Sequence, residues 1–213
     1  IEGVFDPVEA MKEDSPKVHG DTNILYHFKI RKGDIEEGFR KSYVIAENTY
    51  KTHMVDHAFL QPESGIGYID EDGRVAVIVS TQYPHYDREE IASALNIPLE
   101  DVRVINANVG GAFGGREDIS LQIHLALAAK VLKRPVKTIY SREESFLAHS
   151  KRHPMVMRYR TGADKEGNLL AMEAEIIGDS GAYASWAANV LRKAGVHSTG
   201  PYYIPNVKVD SYA

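Results

Sequence analysis

The stretch Asn108–Ser120, NVGGAFGGREDIS, is the most informative part of this sequence, because it places four glycines around one phenylalanine between two segments of regular structure. The preceding VRVINA (residues 102–107) alternates as a strand does, and DISLQIHLALAAKVL (residues 118–132) is apolar over most of a helical circumference. Glycine has no Cβ, so it lets backbone N–H groups approach a ligand closely. The stretch therefore predicts a strand, an anion-binding glycine loop, and a helix that begins at Arg116–Asp118 and is buried on more than one side.

The loop matches neither of two common phosphate-binding motifs. Against G-x-x-x-x-G-K-[ST], Arg116 stands where lysine contacts the phosphates, and Glu117 stands where a hydroxyl binds magnesium. The dinucleotide pattern G-x-G-x-x-G does not align at all. A nucleotide site is therefore disfavoured, and two interpretations remain: a loop that binds another kind of anion, or a tight turn packed by Phe113.

The composition limits the class of protein. With 213 residues, 43% hydrophobic and 26% charged, the chain can bury one good core or two small ones. A formal charge of -5 without a continuous basic stripe argues against nucleic acid as a partner. No apolar run approaches the ~20 residues of a membrane helix, so we expect no membrane partner and a cytoplasmic location. The absence of cysteine excludes disulfides and thiolate-held metal within these 213 residues.

Hydrophobic periodicity predicts an α+β fold, in which mixed sheets and packed helices form a layered sandwich. Residues 1–20 show no sustained period and are interpreted as a linker, so structure is expected over residues 21–213. Asp34 and Asp87 are each placed to cap a helix. Two hairpins, over residues 67–81 and 155–184, and a helix over residues 186–197 complete the prediction.

Two histidine pairs have the spacing of zinc ligands on a helix: His53 with His57, and His149 with His153. Neither pair contains the glutamate of H-E-x-x-H, the first lies in a strand-like region, and the second runs into Pro154. Structural or hydrogen-bonding roles are therefore favoured over a metal site.

Six motifs occur in an order that resembles the large molybdenum-binding subunit of the xanthine dehydrogenase and aldehyde oxidase family. They are VDHAFLQPE (55–63), VSTQ (79–82), VGGAFGGRED (109–118), KRHP (151–154), GAYAS (181–185) and GPYYIPNV (200–207). The resemblance implies hydroxylation of a carbon atom with oxygen from water. It also implies a molybdenum–molybdopterin cofactor, with the cytosine dinucleotide form as one alternative, and iron–sulfur and FAD centres on other domains or subunits.

The resemblance also assigns roles to individual residues. Gln82 and the backbone of the loop are implied to contact an oxo group of the molybdenum. The loop residues concerned are Gly111, Ala112, Phe113, Gly114, Gly115 and Arg116. Glu117 is implied to face the substrate as a catalytic residue, which favours a purine or related N-heterocycle, since aldehyde oxidases typically carry an apolar residue there. Aldehyde oxidation remains an alternative, and Tyr212 stands where vertebrate xanthine enzymes place an arginine.

On this resemblance, residues 21–213 are the N-terminal part of a molybdopterin-binding domain that is truncated at its C-terminus. The family's catalytic base, a glutamate in a G-x-G-E segment, does not occur in these 213 residues. We therefore expect the isolated fragment to be inactive and to assemble with the rest of its large subunit and with iron–sulfur and flavin partners. A stand-alone module for small anions and a structural assembly domain remain open as alternatives.

Overall fold

The computed structural model describes residues 3–18, 20–181 and 183–213. The strands are β1 His27–Lys32, β2 Val44–Lys51, β3 Ser64–Ile69, β4 Val75–Val79, β5 Val102–Asn106, β6 Val136–Ile139, β7 Met155–Ala163, β8 Leu169–Gly178 and β9 Asn206–Tyr212. The α-helices are α1 Pro7–Ala10, α2 Ile35–Lys41, α3 Pro84–Leu95, α4 Gln122–Leu132, α5 Arg142–Ala148 and α6 Ala187–Val196. Two 3-10 turns cover Leu99–Asp101 and Gly115–Glu117.

The chain divides into two compact units, Val55–Arg152 and the segments on either side of it, Ile1–Met54 with His153–Ala213. The two flanking segments form one unit, called the outer unit because its segments flank Val55–Arg152 in sequence. In the outer unit, five strands form a sheet in the order β1-β9-β8-β7-β2. The pairing is antiparallel except between β8 and β9, which are parallel. Helices α2 and α6 pack against β8 and β9. The contact between α6 and β9 is apolar, since Leu191 of α6 and Val209 of β9 are both fully buried.

The Val55–Arg152 unit contains a four-stranded sheet in the order β5-β4-β3-β6. Strands β4 and β5 are parallel, while β3 is antiparallel to both of its neighbours. Helices α3 and α4 pack on this sheet and on each other. The close approach of α4 to β3 depends on Gly67, where a Cβ would lie 2.4 Å from the carbonyl oxygen of Leu125. Every residue of β4 (VAVIV) is buried except Ile78, which is partly buried, as expected for a central strand covered by helices.

The α+β prediction is confirmed, with two mixed sheets and packed helices. Asp34 caps α2 as predicted, since its side chain accepts a hydrogen bond of 3.0 Å from the N–H of Glu37. Both predicted hairpins form, as β3–β4 and β7–β8. The helix predicted over residues 186–197 is α6, with Trp186 and His197 as its capping positions.

The prediction that Asp87 caps a helix is wrong. Helix α3 begins three residues earlier, at Pro84, with Tyr83 at the N-cap position. Proline suits the first position of a helix because its φ is already helical and it has no N–H to satisfy. Asp87 therefore lies inside α3 and is fully buried, where its carboxyl accepts a hydrogen bond of 3.2 Å from Gln122 of α4.

The prediction that a helix begins at Arg116–Asp118 is also wrong, because α4 begins at Gln122. Gly115–Glu117 instead form a short 3-10 turn, after which Asp118 is extended. The predicted burial on more than one side is confirmed, because α4 packs on the sheet and on α3, although Leu127, Val131 and Leu132 are exposed.

Part of the predicted linker has structure of its own. Asp6 caps the single turn of α1, and the side chain of Asn23 donates hydrogen bonds to the carbonyl oxygens of Ala10 and Pro16. Ile1, Glu2 and His19 of the linker, and Ala182 of the GAYAS motif, lie outside the described residues. The boundary at residue 20 remains a prediction. Among the helices that the structure describes, none is both long and apolar enough to cross a membrane.

Candidate functional site

The glycine loop and Gln82 follow two adjacent strands of the Val55–Arg152 unit. Strands β4 and β5 are parallel neighbours, with Val79 paired to Asn106 at their carboxyl ends. Gln82 comes three residues after β4, and the loop follows β5. Because the carboxyl ends of neighbouring parallel strands meet at one edge of a sheet, the topology brings both segments to the same place.

The backbone of the loop is unusual at three positions. Gly111 and Gly114 have φ values of 103° and 91°, and Phe113 between them has a φ of 54°. A left-handed backbone conformation is rare for a residue as bulky as phenylalanine, and such strained residues cluster at functional sites. The Phe113 side chain is 64% exposed. Phe113 therefore does not pack the loop, and that part of the turn interpretation is wrong.

The structure brings Gln82 into direct contact with the loop. The side-chain Oε1 of Gln82 accepts a hydrogen bond of 3.1 Å from the N–H of Gly114. The backbone N–H of Gln82 donates to the carbonyl oxygen of Arg116 at 3.0 Å. This contact fixes the sense of the Gln82 amide, since Oε1 is already used. The Nε2 group remains as a donor, and none of the residues the structure describes accepts a hydrogen bond from it.

Several N–H groups of the loop are also available to a ligand. In the described part of the chain, the N–H groups of Gly111, Ala112 and Phe113 donate no hydrogen bond. Successive N–H groups in a loop with left-handed residues form a concave nest that favours anions. In contrast, the N–H of Gly115 is used within the loop, where it donates to the carbonyl oxygen of Ala112 at 2.9 Å.

The side chain of Arg116 supports the backbone of the loop and does not offer its charge to a ligand. Its side chain is buried and donates to the carbonyl oxygens of Gly111 at 3.0 Å and Gln61 at 2.5 Å, with a longer contact to Ser80 at 3.5 Å. The guanidinium also lies 4.2 Å from the ring centre of Phe59. Burial lowers the pKa of Arg116, and the negative charge of Glu63 opposes that shift.

Gln61 is a positioning residue that sequence reasoning missed. Its Oε1 accepts from the N–H of Gly110 at 2.8 Å, and its Nε2 donates to the hydroxyl of Ser80 at 3.0 Å. The hydroxyl of Ser80 in turn donates to the carbonyl oxygen of Asn108 at 2.8 Å. Gln61 lies within the motif VDHAFLQPE, but nothing in that motif indicates which residue it contacts.

Two histidines lie close to Gly115, the buried His149 and the partly buried His57. The Nδ1 of His149 is 2.8 Å from the carbonyl oxygen of Ser150, and its Nε2 is 3.4 Å from Oε1 of the buried Glu63. The ring centre of His57 lies 5.9 Å from that of His149. Burial and the positive charge of Arg152 lower the pKa of His57. A Cβ on Gly115 would come within 2.9 Å of the His57 ring, so this arrangement requires glycine there.

In the ranges that the structure describes, no group of three or more histidine, cysteine, aspartate or glutamate side chains is arranged to hold a metal ion. The structure instead combines one member of each predicted pair, His57 and His149, as packing and hydrogen-bonding residues.

The two remaining candidates from the sequence are Glu117 and Tyr212. Glu117 is partly buried at the end of the 3-10 turn, and its N–H donates to the carbonyl oxygen of Gly114 at 3.3 Å. Because no long helix begins there, a helix dipole does not act on its carboxyl. Tyr212 belongs to β9 of the outer unit, where its ring stacks on His27 with 4.0 Å between ring centres.

A profile of the molybdopterin cofactor-binding domain matches residues 18–213, which is most of the chain. The chain belongs to the molybdopterin cofactor-binding domain family. The resemblance inferred from the six motifs is thereby confirmed at the level of the family.

Relatives with curated names support the same assignment. The chain is 48% identical over 211 residues to the nicotinate dehydrogenase large molybdopterin subunit of Eubacterium barkeri, a match that covers 99% of this chain and 50% of that protein. It is 37% identical over 210 residues to a probable xanthine dehydrogenase subunit of Bacillus subtilis (strain 168), a match that covers 99% of this chain and 28% of that protein. The chain thus spans at most half the length of these two relatives.

The fold is also that of a solved member. The aldehyde oxidoreductase of Desulfovibrio gigas superposes with a TM-score of 0.93 over 99% of this chain and 23% of its own, at 24% identity. At that identity the likeness establishes the fold alone.

The residues of this site suit the oxygen-rich, anionic end of a molybdopterin cofactor. The groups left free are all donors, namely the Nε2 of Gln82 and the N–H groups of Gly111, Ala112 and Phe113. Beside Gly114 there is open space, since a Cβ built there would meet nothing within 4 Å. Arg116 differs from the expected role, because its side chain is committed to backbone carbonyl groups below the loop.

Proposed function

We propose that this chain is part of the large subunit of a molybdenum hydroxylase and contributes the glycine loop and Gln82 to its cofactor site. The observation that carries the proposal is the pairing of Gln82 with Gly114, which leaves the Gln82 Nε2 and three loop N–H groups as donors at one edge of the sheet. When bound, a molybdenum–molybdopterin cofactor supplies two-electron oxidation with oxygen derived from water. Iron–sulfur and FAD centres on other domains or subunits would then accept the electrons.

In this proposal the chain's own groups act by binding and orientation. The donors at Gln82, Ala112 and Phe113 are fixed by the surrounding hydrogen bonds before any ligand arrives. Donors that are already oriented stabilise developing negative charge with little cost of reorganisation. Arg116 and Gln61 contribute indirectly, because Gln61 bonds to Gly110 and Ser80, and Arg116 bonds to Gln61 at the other end of the loop.

We propose an N-heterocycle as the substrate class, with Glu117 as the residue that binds a ring nitrogen. A carboxyl group can accept a hydrogen bond from a ring N–H or, when protonated, donate one to a bare ring nitrogen. The name of the relative at 48% identity favours nicotinate, a pyridine carboxylate, and the name of the relative at 37% identity favours a purine. Aldehyde oxidation remains the alternative.

The test compares Glu117→Gln with wild type in the complete enzyme at matched molybdenum content. We expect kcat/KM for nicotinate or hypoxanthine to fall about ten- to a hundredfold, equivalent to roughly 1–3 kcal/mol of transition-state stabilisation. Turnover of an aromatic aldehyde should change by less than about threefold, because it offers no ring nitrogen to Glu117. Asp118→Asn, the same chemical change one residue further on, serves as the matched control.

Two outcomes would contradict parts of this proposal. Equal losses on heterocycle and aldehyde would show that Glu117 does not read the substrate. A molybdenum-replete wild-type enzyme that oxidises aldehydes and no heterocycle would instead overturn the substrate class.

A further inference from the structure

One peptide group of the loop is held from both ends by side chains from distant parts of the Val55–Arg152 unit. The carbonyl oxygen of Phe113 accepts a hydrogen bond of 3.0 Å from Nη2 of Arg152. The N–H of Gly114, on the other side of the same peptide bond, donates to Oε1 of Gln82 at 3.1 Å. The Phe113–Gly114 peptide is thus fixed by a donor at its oxygen and an acceptor at its nitrogen.

The main chain of Arg152 is itself anchored. Its N–H donates to the carbonyl oxygen of Val55 at 2.9 Å, and the two residues form an isolated antiparallel bridge. The neighbouring Lys151 lies 3.2 Å from the carboxylate of Asp56, which also accepts from the N–H of Ala58 at 2.7 Å. The guanidinium of Arg152 therefore extends from a fixed backbone towards the loop.

This peptide needs such support because its own backbone does not select one orientation. Phe113 is held at a φ of 54°, which is costly for a side chain with a Cβ, and Gly114 permits many values of φ. A peptide flip would point the Gly114 N–H at the guanidinium of Arg152, which is a repulsive contact between two donors, and would break both hydrogen bonds described above. Arg152 therefore favours the observed orientation, and the hydrogen bond to Gln82 adds to that preference.

The guanidinium of Arg152, the Phe113–Gly114 peptide and the Gln82 amide also form a chain of hydrogen bonds in which each group donates to the next. Arg152 donates to the Phe113 carbonyl, the Gly114 N–H donates to Gln82 Oε1, and the free Nε2 of Gln82 is the last donor. Hydrogen bonds aligned in this way polarise one another. The positive charge of Arg152 therefore strengthens the Gln82 Nε2 as a donor to an anionic ligand.

We propose that Arg152 is a positioning residue of the cofactor site, which locks the Phe113–Gly114 peptide and strengthens the Gln82 amide as a donor. The inference rests on the proposed function for the identity of the ligand, an oxygen-rich anionic cofactor. The orientation of the peptide is a property of this chain's own residues and can be measured without that ligand.

The first measurement is hydrogen exchange of peptides covering residues 108–118 in the complete enzyme prepared without cofactor. Arg152→Met removes the donor and the charge, and we expect the loop amides to exchange about tenfold faster, as for the loss of one charge-assisted hydrogen bond. Arg152→Lys, which keeps the charge and a donor, should give an intermediate rate. Arg134→Met removes an exposed arginine elsewhere in the unit and should leave the loop unchanged.

The second measurement uses the cofactor-loaded enzyme. Arg152→Met should lower the midpoint potential of the molybdenum centre, because a weaker donor at Gln82 stabilises the more negative, reduced state less. It should also lower kcat about tenfold while the substrate KM stays within about twofold, since Arg152 acts on the cofactor site and not on substrate binding. If Arg152→Met does not accumulate, Arg152→Gln provides the same comparison.

The outcomes separate this inference from the proposed function. Loop exchange and midpoint potential equal to those of wild type and Arg134→Met would overturn the role of Arg152 while leaving the proposed function intact. A wild-type enzyme that contains no molybdopterin would overturn the proposed function and, with it, the role of Arg152 towards the cofactor.

Discussion

Arg116 shows how a single residue determines the shape of the loop. It sits among glycines where the chain would be expected to present a positive charge to an anion, yet its guanidinium is buried and bonded to carbonyl oxygens of Gly111 and Gln61. These carbonyl groups belong to the loop and to the segment before β3, so one side chain joins them. The free donors of the loop are therefore backbone N–H groups, whose charge is partial and whose direction is fixed.

At this scale we predict that Arg116→Met destabilises the chain by roughly 3 kcal/mol. The substitution removes the donors from the partly buried carbonyl groups of Gly111 and Gln61 and the positive charge that faces Glu63, while keeping a long apolar side chain over Phe59. Urea unfolding of the variant and wild type, with unchanged m-values, provides the measurement. The exposed Arg134→Met should change stability by less than about 0.5 kcal/mol, and a similarly small effect at Arg116 would contradict the prediction.

Among the secondary-structure elements, α3 and α4 are joined by a buried polar contact beside the site. Asp87 of α3 is fully buried and accepts a hydrogen bond of 3.2 Å from Gln122 of α4. Burial raises the pKa of Asp87, and its interactions with Thr81 and Gln122 only partly offset that effect. The charged form is thus disfavoured in the folded chain.

This raised pKa gives a pH dependence with a definite sign. Because the folded state binds the proton more tightly than the unfolded state, Asp87 supports folding fully below its unfolded pKa, about 4, and that support is lost as the pH rises through its folded pKa. Asp87→Asn does not titrate, so its stability relative to wild type should increase with pH from about 4 upward. Urea unfolding at a series of pH values measures this difference. A flat or falling difference between Asp87→Asn and wild type would refute the prediction.

For the whole molecule, the described residues supply donors for a cofactor but no metal-ligand cluster. No group of metal-binding side chains occurs in the described ranges, and the chain covers 50% of one relative and 28% of another. A few hydrogen bonds from one loop and one glutamine are too weak to retain a large cofactor in competition with water.

We therefore predict that the isolated chain, purified from a host that makes molybdopterin, holds far less than one molybdenum per chain and has no hydroxylase activity. Elemental analysis of the purified chain provides the measurement, with the complete enzyme as the positive control. Molybdenum near one per chain would show that the cofactor is held by this chain alone.

The features that sequence predicted correctly are those set by local spacing. Three of these features depend on residues a few positions apart. They are the alternation of β7 and β8, the Asp34 cap of α2, and the hairpin turns with Gly73 and Gly167. The family assignment also came from the sequence, because the six motifs keep their order. The start of α4 was misplaced because Arg116–Asp118 looks locally like a helix start, whereas the buried contacts of Arg116 hold that segment in a tight turn.

The sequence by itself thus determined the fold class and the family, and it predicted the loop as the place of function. Only the tertiary structure decided which side chains hold the loop: Gln82 contacts Gly114 across 32 residues, Arg152 contacts Phe113 across 39, and Arg116 contacts Gln61 across 55. No periodicity or motif specifies such pairs. They form because β4 and β5 run parallel and end at the same edge, where strand pairing and burial bring distant segments within hydrogen-bonding distance.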